Sequence, residues 1–179
     1  MFNRAPFTPE DRRIEDHPGG IRHGVFYWDD AYPDSHLFAD AEDLIRRHEP
    51  DLLLLHPMNV DDEGHRSGGV SRAYDRKARR QGDLLARWAP RWRAAGYALL
   101  VTADHGMSDL GEHSGPEAAE TRVPLYTLGP VGGPAGEALF LPDPHGSPTQ
   151  LQIAGLLAEI LGLRDHGFAA PQGILTPRA

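Results

Sequence analysis

Two short runs free of charge, Leu52 to Leu55 and Tyr97 to Thr102, each lead into a cluster of acids and histidines, and a long segment of helical patterning separates them. A continuously apolar run of strand length suits a strand covered by helices on both faces better than one with a wet side. Strands alternating with helices predict an α/β fold: a largely parallel sheet, helices on both faces, right-handed crossovers. In such sheets ligands bind at the carboxyl ends of the strands. Asp61 and His65 after the first run, and Asp104 and His105 after the second, are thereby expected on one rim.

The remaining pattern fits that alternation. Gly24 to Trp28 (GVFYW) reads as a strand. Leu37, Ala41, Leu44 and Ile45 fall at helical spacing, with acids early and Arg46, Arg47 and His48 late, as the helix dipole favours, and Pro50 stops that helix. Ser71 is placed to cap a long helix reaching about Ala95, with Ala78, Leu84, Leu85, Trp88 and Trp92 inward, a kink or split at Pro90, and Gly96 as its end. Val123 to Leu128 (VPLYTL) reads as a further strand, and residues 130–147 as a Gly- and Pro-rich loop with one extended piece at Ala138 to Leu141. Ser147-Pro148-Thr149-Gln150 combines a capping box with Pro at the first helical position, opening a helix with Leu151, Ala154, Leu157, Ala158 and Leu161 inward and Gly162 as its close.

A chain of 179 residues, 40% of them hydrophobic, can bury one core, so a single domain over 1–179 is expected. The formal charge of −8 argues against nucleic acid or an anionic membrane as a partner. Met1 to Ile14 carries prolines and charges where a signal or anchor would need an apolar stretch, so a cytoplasmic protein is expected. Met1 to Phe7 reads as the middle of a loop, which makes the chain the larger, C-terminal portion of a catalytic domain by expectation. Cysteine is absent, so a metal must be held by histidine and carboxylate.

Five such ligands stand in three short motifs. In Asp61-Asp62-Glu63-Gly64-His65 a carboxylate and an imidazole four residues apart are expected to converge from a loop bent by Gly64. His113, in Gly111-Glu112-His113-Ser114-Gly115, supplies the third ligand of a two-His, one-carboxylate set typical of zinc with an open position, with His145 as the alternative. Asp104 and His105 are adjacent, and a turn at Gly106 is needed to aim both at a second ion. Two ions side by side suit in-line attack on phosphorus, one serving the incoming oxygen and one a non-bridging or leaving oxygen. Zinc is the expected metal, with manganese also compatible.

Blander readings stand beside these. Asp62 and Glu63 read as solvated charge or support for the ligands, with Asp62 a fallback ligand. His17, His23, His36, His48 and His166 sit in polar surroundings and read as surface residues, and His56 as a hydrogen-bonded structural residue. The basic face from Arg72 to Arg93 reads as a solvated helix face, though it could draw in anionic substrates. Ser67, Thr102 and Ser108 are hydroxyls with no argument for being in line with a phosphorus.

At DDEGH (Asp61 to His65), TADHGM (Thr102 to Met107), GEHSG (Gly111 to Gly115) and VPLY from Val123, the chain resembles the alkaline phosphatase superfamily, specifically its type I phosphodiesterase/nucleotide pyrophosphatase branch. The His113 position also resembles phosphoethanolamine transferases. The resemblance implies one ion on Asp61, His65 and His113 and a second on Asp104 and His105, the latter shared with an Asp after the first strand and a nucleophilic Thr or Ser. Those last two have no counterpart in this sequence, so the family's N-terminal strand and nucleophile helix are expected to be missing. Ser114 stands where a second glycine often follows the histidine. The implied activity is metal-dependent hydrolysis of phosphodiester or pyrophosphate bonds in a small phosphate ester or nucleotide, impaired without the nucleophile. A non-catalytic metal-binding fragment and a phosphotransferase of the phosphoethanolamine-transferase type are the alternatives. An unpaired sheet edge would also favour self-association.

Overall fold

The structure is a computed structural model, and it describes residues 12–15, 20–27, 29, 31–128, 149–163, 165 and 167–168. Its elements run β1 (Arg13–Ile14), β2 (Gly24–Val25), α1 (Asp34–His48), α2 (Asn59–Ser67), α3 (Arg72–Ala94), β3 (Leu99–Thr102), α4 (Ala118–Thr121), β4 (Leu125–Leu128), a 3-10 turn over Gln150–Gln152 and α5 (Ile153–Ile160). They divide into two compact units, one from the described residues of 1–88 and 106–122, the other from those of 89–105 and 123–179.

In the first unit β1 pairs antiparallel with β2, Arg13 opposite Val25 and Ile14 opposite Gly24. Only Gly24–Val25 of the expected GVFYW strand joins this pair, and Trp28 lies outside the described residues. Helix α1 forms as its pattern requires: Leu37, Phe38, Ala41 and Ile45 are buried one helical turn after another, with Arg46, Arg47 and His48 in the last turn. It ends at Glu49, whose φ of 43° puts it in the left-handed region, one residue before Pro50.

Leu52 to Leu55 does not form the strand its composition predicts. Among the described residues it pairs with no strand, and Leu52 and Leu54 are 53% and 87% exposed. Apolarity makes a run suitable for burial, but strand formation needs a neighbour to receive its N–H and C=O groups.

The Asp61 to His65 segment corrects the sequence reading more usefully. It is helix α2, not a loop, so Asp61 and His65 stand one turn apart on one helix face. Gly64, a poor helix former, sits where a Cβ would come within 2.6 Å of the Met107 side chain. Met107, 7% exposed, takes that space and fixes the stretch after Gly106 against α2.

Ser71 caps α3 as expected, its Oγ accepting the Tyr74 N–H at 3.0 Å. Pro90 lies inside the helix without ending it. The inward stripe is narrower than expected: Ala89 and Trp92 are buried, Leu84, Leu85 and Trp88 are half-buried, and Ala78 is exposed.

In the second unit Gly96, at φ 95°, closes α3 with paired bonds from Gly96 N to Arg93 O and from Tyr97 N to Trp92 O, both 3.0 Å. The chain then enters β3. The strand expected from VPLYTL is present as β4, but β3 and β4 pair antiparallel, Leu99 opposite Leu128 and Thr102 opposite Leu125. The predicted parallel sheet is therefore not what the described strands form; both pairings are antiparallel. Thr149 and Gln152 make the capping box before α5, whose inward residues are Leu156 and Ala158, while Leu151 is 80% exposed. Ser147, the expected extended piece at 138–141 and His145 lie outside the described residues. No helix among the described residues is long and apolar enough to cross a membrane.

Candidate metal centre

Helix α2 presents Asp61 and His65 toward the same point, with Asp61 Oδ2 3.5 Å from His65 Nε2. The third side chain comes from the loop before α4: His113 Nε2 lies 3.2 Å from His65 Nε2. Asp61 and His113 also offer ligand atoms within 4.8 Å of each other. The three ligands expected of the first ion are thus together in one unit.

Glycines make that approach possible. Gly111 adopts φ 82°, and a Cβ there would come within 2.6 Å of the Gly64 carbonyl and 3.2 Å of the His65 carbonyl. Gly69 is equally tight, its Cβ position 2.6 Å from the Met107 carbonyl, and its N–H donates to Ser108 O at 2.9 Å. Two backbones meet where side chains would hold them apart. The carbonyl of Gly111 reaches His65 Nδ1 at 2.7 Å as a result.

That contact fixes the tautomer. A carbonyl only accepts, so Nδ1 of His65 carries the proton, and in the neutral ring Nε2 presents a lone pair. This lone pair faces a carboxylate oxygen and another imidazole nitrogen. Electron-rich atoms so arranged repel unless a proton or cation lies among them. With a zinc–nitrogen distance of about 2.05 Å and tetrahedral angles, ligand atoms sit about 3.3 Å apart, which the 3.2 and 3.5 Å separations match. A carbonyl holding the far nitrogen of a ligating histidine is the usual outer support of such a site. The donor set therefore fits a divalent ion.

The surroundings add residues that the sequence reading missed. Asp34, 7% exposed at the start of α1, accepts the Asn59 N–H at 3.4 Å, while Asn59 Nδ2 donates to Tyr32 O at 2.9 Å. These bonds tie the start of α2 to the start of α1. Burial pushes the Asp34 carboxyl above its ordinary range, against hydrogen bonds from the Asn59 and Met58 backbone. Burial and the Asp61 carboxylate likewise raise the Tyr74 phenol, which stays protonated as a donor beside the centre. Glu120 is buried, and its carboxylate accepts the Gly115 and Glu117 N–H groups, each at 3.2 Å, holding the loop two residues beyond His113. A lone buried acid in a polar stretch gives no pattern that sequence reasoning could have used.

Asp62 and Glu63 both pair with Arg66 on the helix surface, at 2.7 and 3.4 Å, so neither is needed as a ligand. Ser67 Oγ donates to Glu63 O at 2.9 Å, Ser108 Oγ accepts Glu112 N–H at 2.9 Å, and Thr102 Oγ1 donates to Ala103 O at 3.4 Å. Each hydroxyl has a local structural partner.

Asp104 and His105 stand at the end of β3 in the second unit. Asp104 Oδ1 accepts the His105 N–H at 3.2 Å and lies 3.7 Å from His105 Nε2, so the adjacent side chains turn toward each other. Gln150 Nε2 donates to the carbonyls of Ala103 and Asp104, at 2.7 and 2.8 Å, and clamps the strand end.

A helix-borne Asp and His joined by a loop His form a histidine-carboxylate cluster in the first unit, and an Asp-His pair stands at a strand end in the second. The chain belongs to the type I phosphodiesterase/nucleotide pyrophosphatase family of the alkaline phosphatase superfamily, matching it over residues 10–122. It is 34% identical over 80 residues to a GPI ethanolamine phosphate transferase 2 of Candida glabrata, covering 45% of this chain and 10% of that protein. The Candida albicans protein of the same name is 26% identical over 136 residues, 72% of this chain and 15% of its own length. A 2,3-bisphosphoglycerate-independent phosphoglycerate mutase of Cereibacter sphaeroides is 37% identical over 112 residues, 59% of this chain and 21% of that enzyme. The chain thus spans a small part of these relatives. No solved structure matches it.

Proposed function

We propose that this chain carries the metal centre of a phosphoryl-transfer enzyme that cleaves phosphodiester or pyrophosphate bonds in small phosphate esters or nucleotides. Asp61, His65 and His113 hold one divalent ion, zinc before manganese, and Asp104 and His105 contribute to a second. Bound divalent ions supply charge neutralisation at the phosphoryl oxygens and a site for the reacting oxygen. The chain's own part is positional: the Gly111 carbonyl orients His65, Asp34 and Asn59 hold the start of α2, and the Tyr74 hydroxyl is available as a donor. The observation that carries this reading is the convergence of Asp61, His65 and His113 around one His65 tautomer.

Two acceptors compete in the reading. His65 is exposed over 44% of its side chain, which leaves water free to reach the centre and favours hydrolysis. Two of the relatives described above are named as phosphate transferases, which favours transfer to an alcohol. The full chain, loaded with Zn2+ or Mn2+ and given a nitrophenyl phosphodiester with and without a simple acceptor alcohol, distinguishes them by the products. Metal content measured beside an Asp61→Ala/His65→Ala variant tests the centre itself. We expect the variant to lose one ion per chain and any chelator-sensitive turnover; equal metal content in both would end the assignment.

A further inference from the structure

A second group of potential ligands lies in the first unit and shares no residue with the Asp61 centre. Glu15, His23 and His48 each offer a ligand atom within 4.8 Å of the others. Glu15 directly follows β1, His23 directly precedes β2, and His48 is the last residue of α1. Three residues distant in sequence meet where a strand pair abuts a helix end.

The sequence assigns His23 and His48 to the surface, and the structure does not. Their side chains are 15% and 14% exposed, and their rings stack with centroids 3.8 Å apart and planes within 8°. The Nε2 atom of His48 is buried, and among the described residues it has no hydrogen-bond partner. A buried polar nitrogen left so costs about 1–3 kcal/mol, and its presence calls for an explanation such as an ion. Glu15 Oε2 lies 3.5 Å from His48 Nε2, with His23 Nδ1 4.0 Å from the same oxygen. These distances are too long for hydrogen bonds and near the spacing of atoms that share a cation.

Glu15 is divided in a way that suits this. Its Oε1 is taken by Arg13 Nη1 at 3.1 Å and Arg47 Nη1 at 3.4 Å, leaving Oε2 toward the two imidazoles. The arginines hold the carboxyl ionised, below its ordinary range. The last turn of α1 adds its own negative end, which favours a cation there. Closing the set on one ion requires the stacked rings to splay, and the terminal torsion of histidine is broad enough to permit it.

We propose that Glu15, His23 and His48 bind a divalent transition-metal ion of the zinc type, which joins the β1–β2 pair to the C-terminal end of α1. Three ligands that link separate elements make this a structural clip whose loss loosens the first unit.

The test uses the full chain in the Asp61→Ala/His65→Ala background, so that failure of the centre proposed above does not affect the result. Zn2+ is titrated while imidazole nitrogen resonances and metal content are followed, and thermal midpoints are read with and without Zn2+. The expected result is about one bound Zn2+, shifts at His23 and His48, and a rise in Tm; adding Glu15→Ala or His23→Ala weakens binding at least tenfold and removes the rise. Glu15→Ala alters a partly exposed side chain, so it remains informative should His48→Ala fail to fold. Absence of stoichiometric Zn2+, or Zn2+ binding unchanged by both substitutions, overturns the proposal.

Discussion

The helix-borne ligands and the strand-end ligands are built on different principles. At Asp61 and His65 the helix sets side-chain direction, a neighbouring loop brings His113, and a backbone carbonyl fixes one imidazole nitrogen so that the other faces its fellow ligands at 3.2 and 3.5 Å. At Asp104 and His105 the two side chains are neighbours in sequence, and Asp104 already accepts the N–H of His105. The first group has the spacing that our proposal of a shared cation needs; the second satisfies part of its polarity internally and is held in place through its backbone by Gln150. Side chains already held at the spacing of a shared cation need less rearrangement to bind one, so we predict that the first group binds a metal more tightly.

The sharpest way to break this contrast is at Gly111. Gly111→Ala forces a Cβ into a left-handed residue and toward the Gly64 carbonyl, and we expect a loss of about 3 kcal/mol in denaturant unfolding together with weaker metal binding at the first centre. Unchanged stability would mean that the close backbone approach is dispensable. A smaller effect is expected from Gln150→Ala, which frees the strand end: about tenfold weaker metal binding at Asp104 and His105, with the first centre unaffected. If metal titration shows the first centre weakened instead, the two groups are not independent.

The smallest effect concerns Asp34, which helps to pin α2. Its carboxyl is raised in the fold above the ordinary 3.8, so the folded chain retains a proton that the unfolded chain has released, and stability falls as pH rises from 3.8 through the folded value. Asp34→Asn has no carboxyl to titrate there. Its Tm relative to the parent should therefore improve as pH rises from about 4 toward neutrality. A relative Tm that worsens over the same range would refute the burial argument.

The parts legible in the sequence were those fixed by local chemistry. Helix α1, the Ser71 cap and the glycine ends of α3 and α5 follow from spacing and residue type, and the motifs single out Asp61, His65 and His113, which the structure brings together. The misreadings share a cause. Leu52 to Leu55 was apolar enough for a strand, but strand pairing depends on a partner that its own residues do not specify. DDEGH reads as a loop because Gly64 interrupts it, and the packing of Met107 against Gly64 goes with a helix instead. His23 and His48 looked like surface residues because neither their neighbours nor their spacing reveals that a strand pair and a helix end bring them together.

By itself the sequence determined that any metal must be held by histidine and carboxylate and that α1 and α3 are helices, because both depend on residue identity and on contacts within a few positions. The tertiary structure alone decided that α2 is a helix, that β3 and β4 run antiparallel, and which nitrogen of His65 faces Asp61 and His113. Those outcomes depend on backbone groups far apart in the chain meeting at hydrogen-bond distance, and residue identity does not encode where a distant carbonyl will lie.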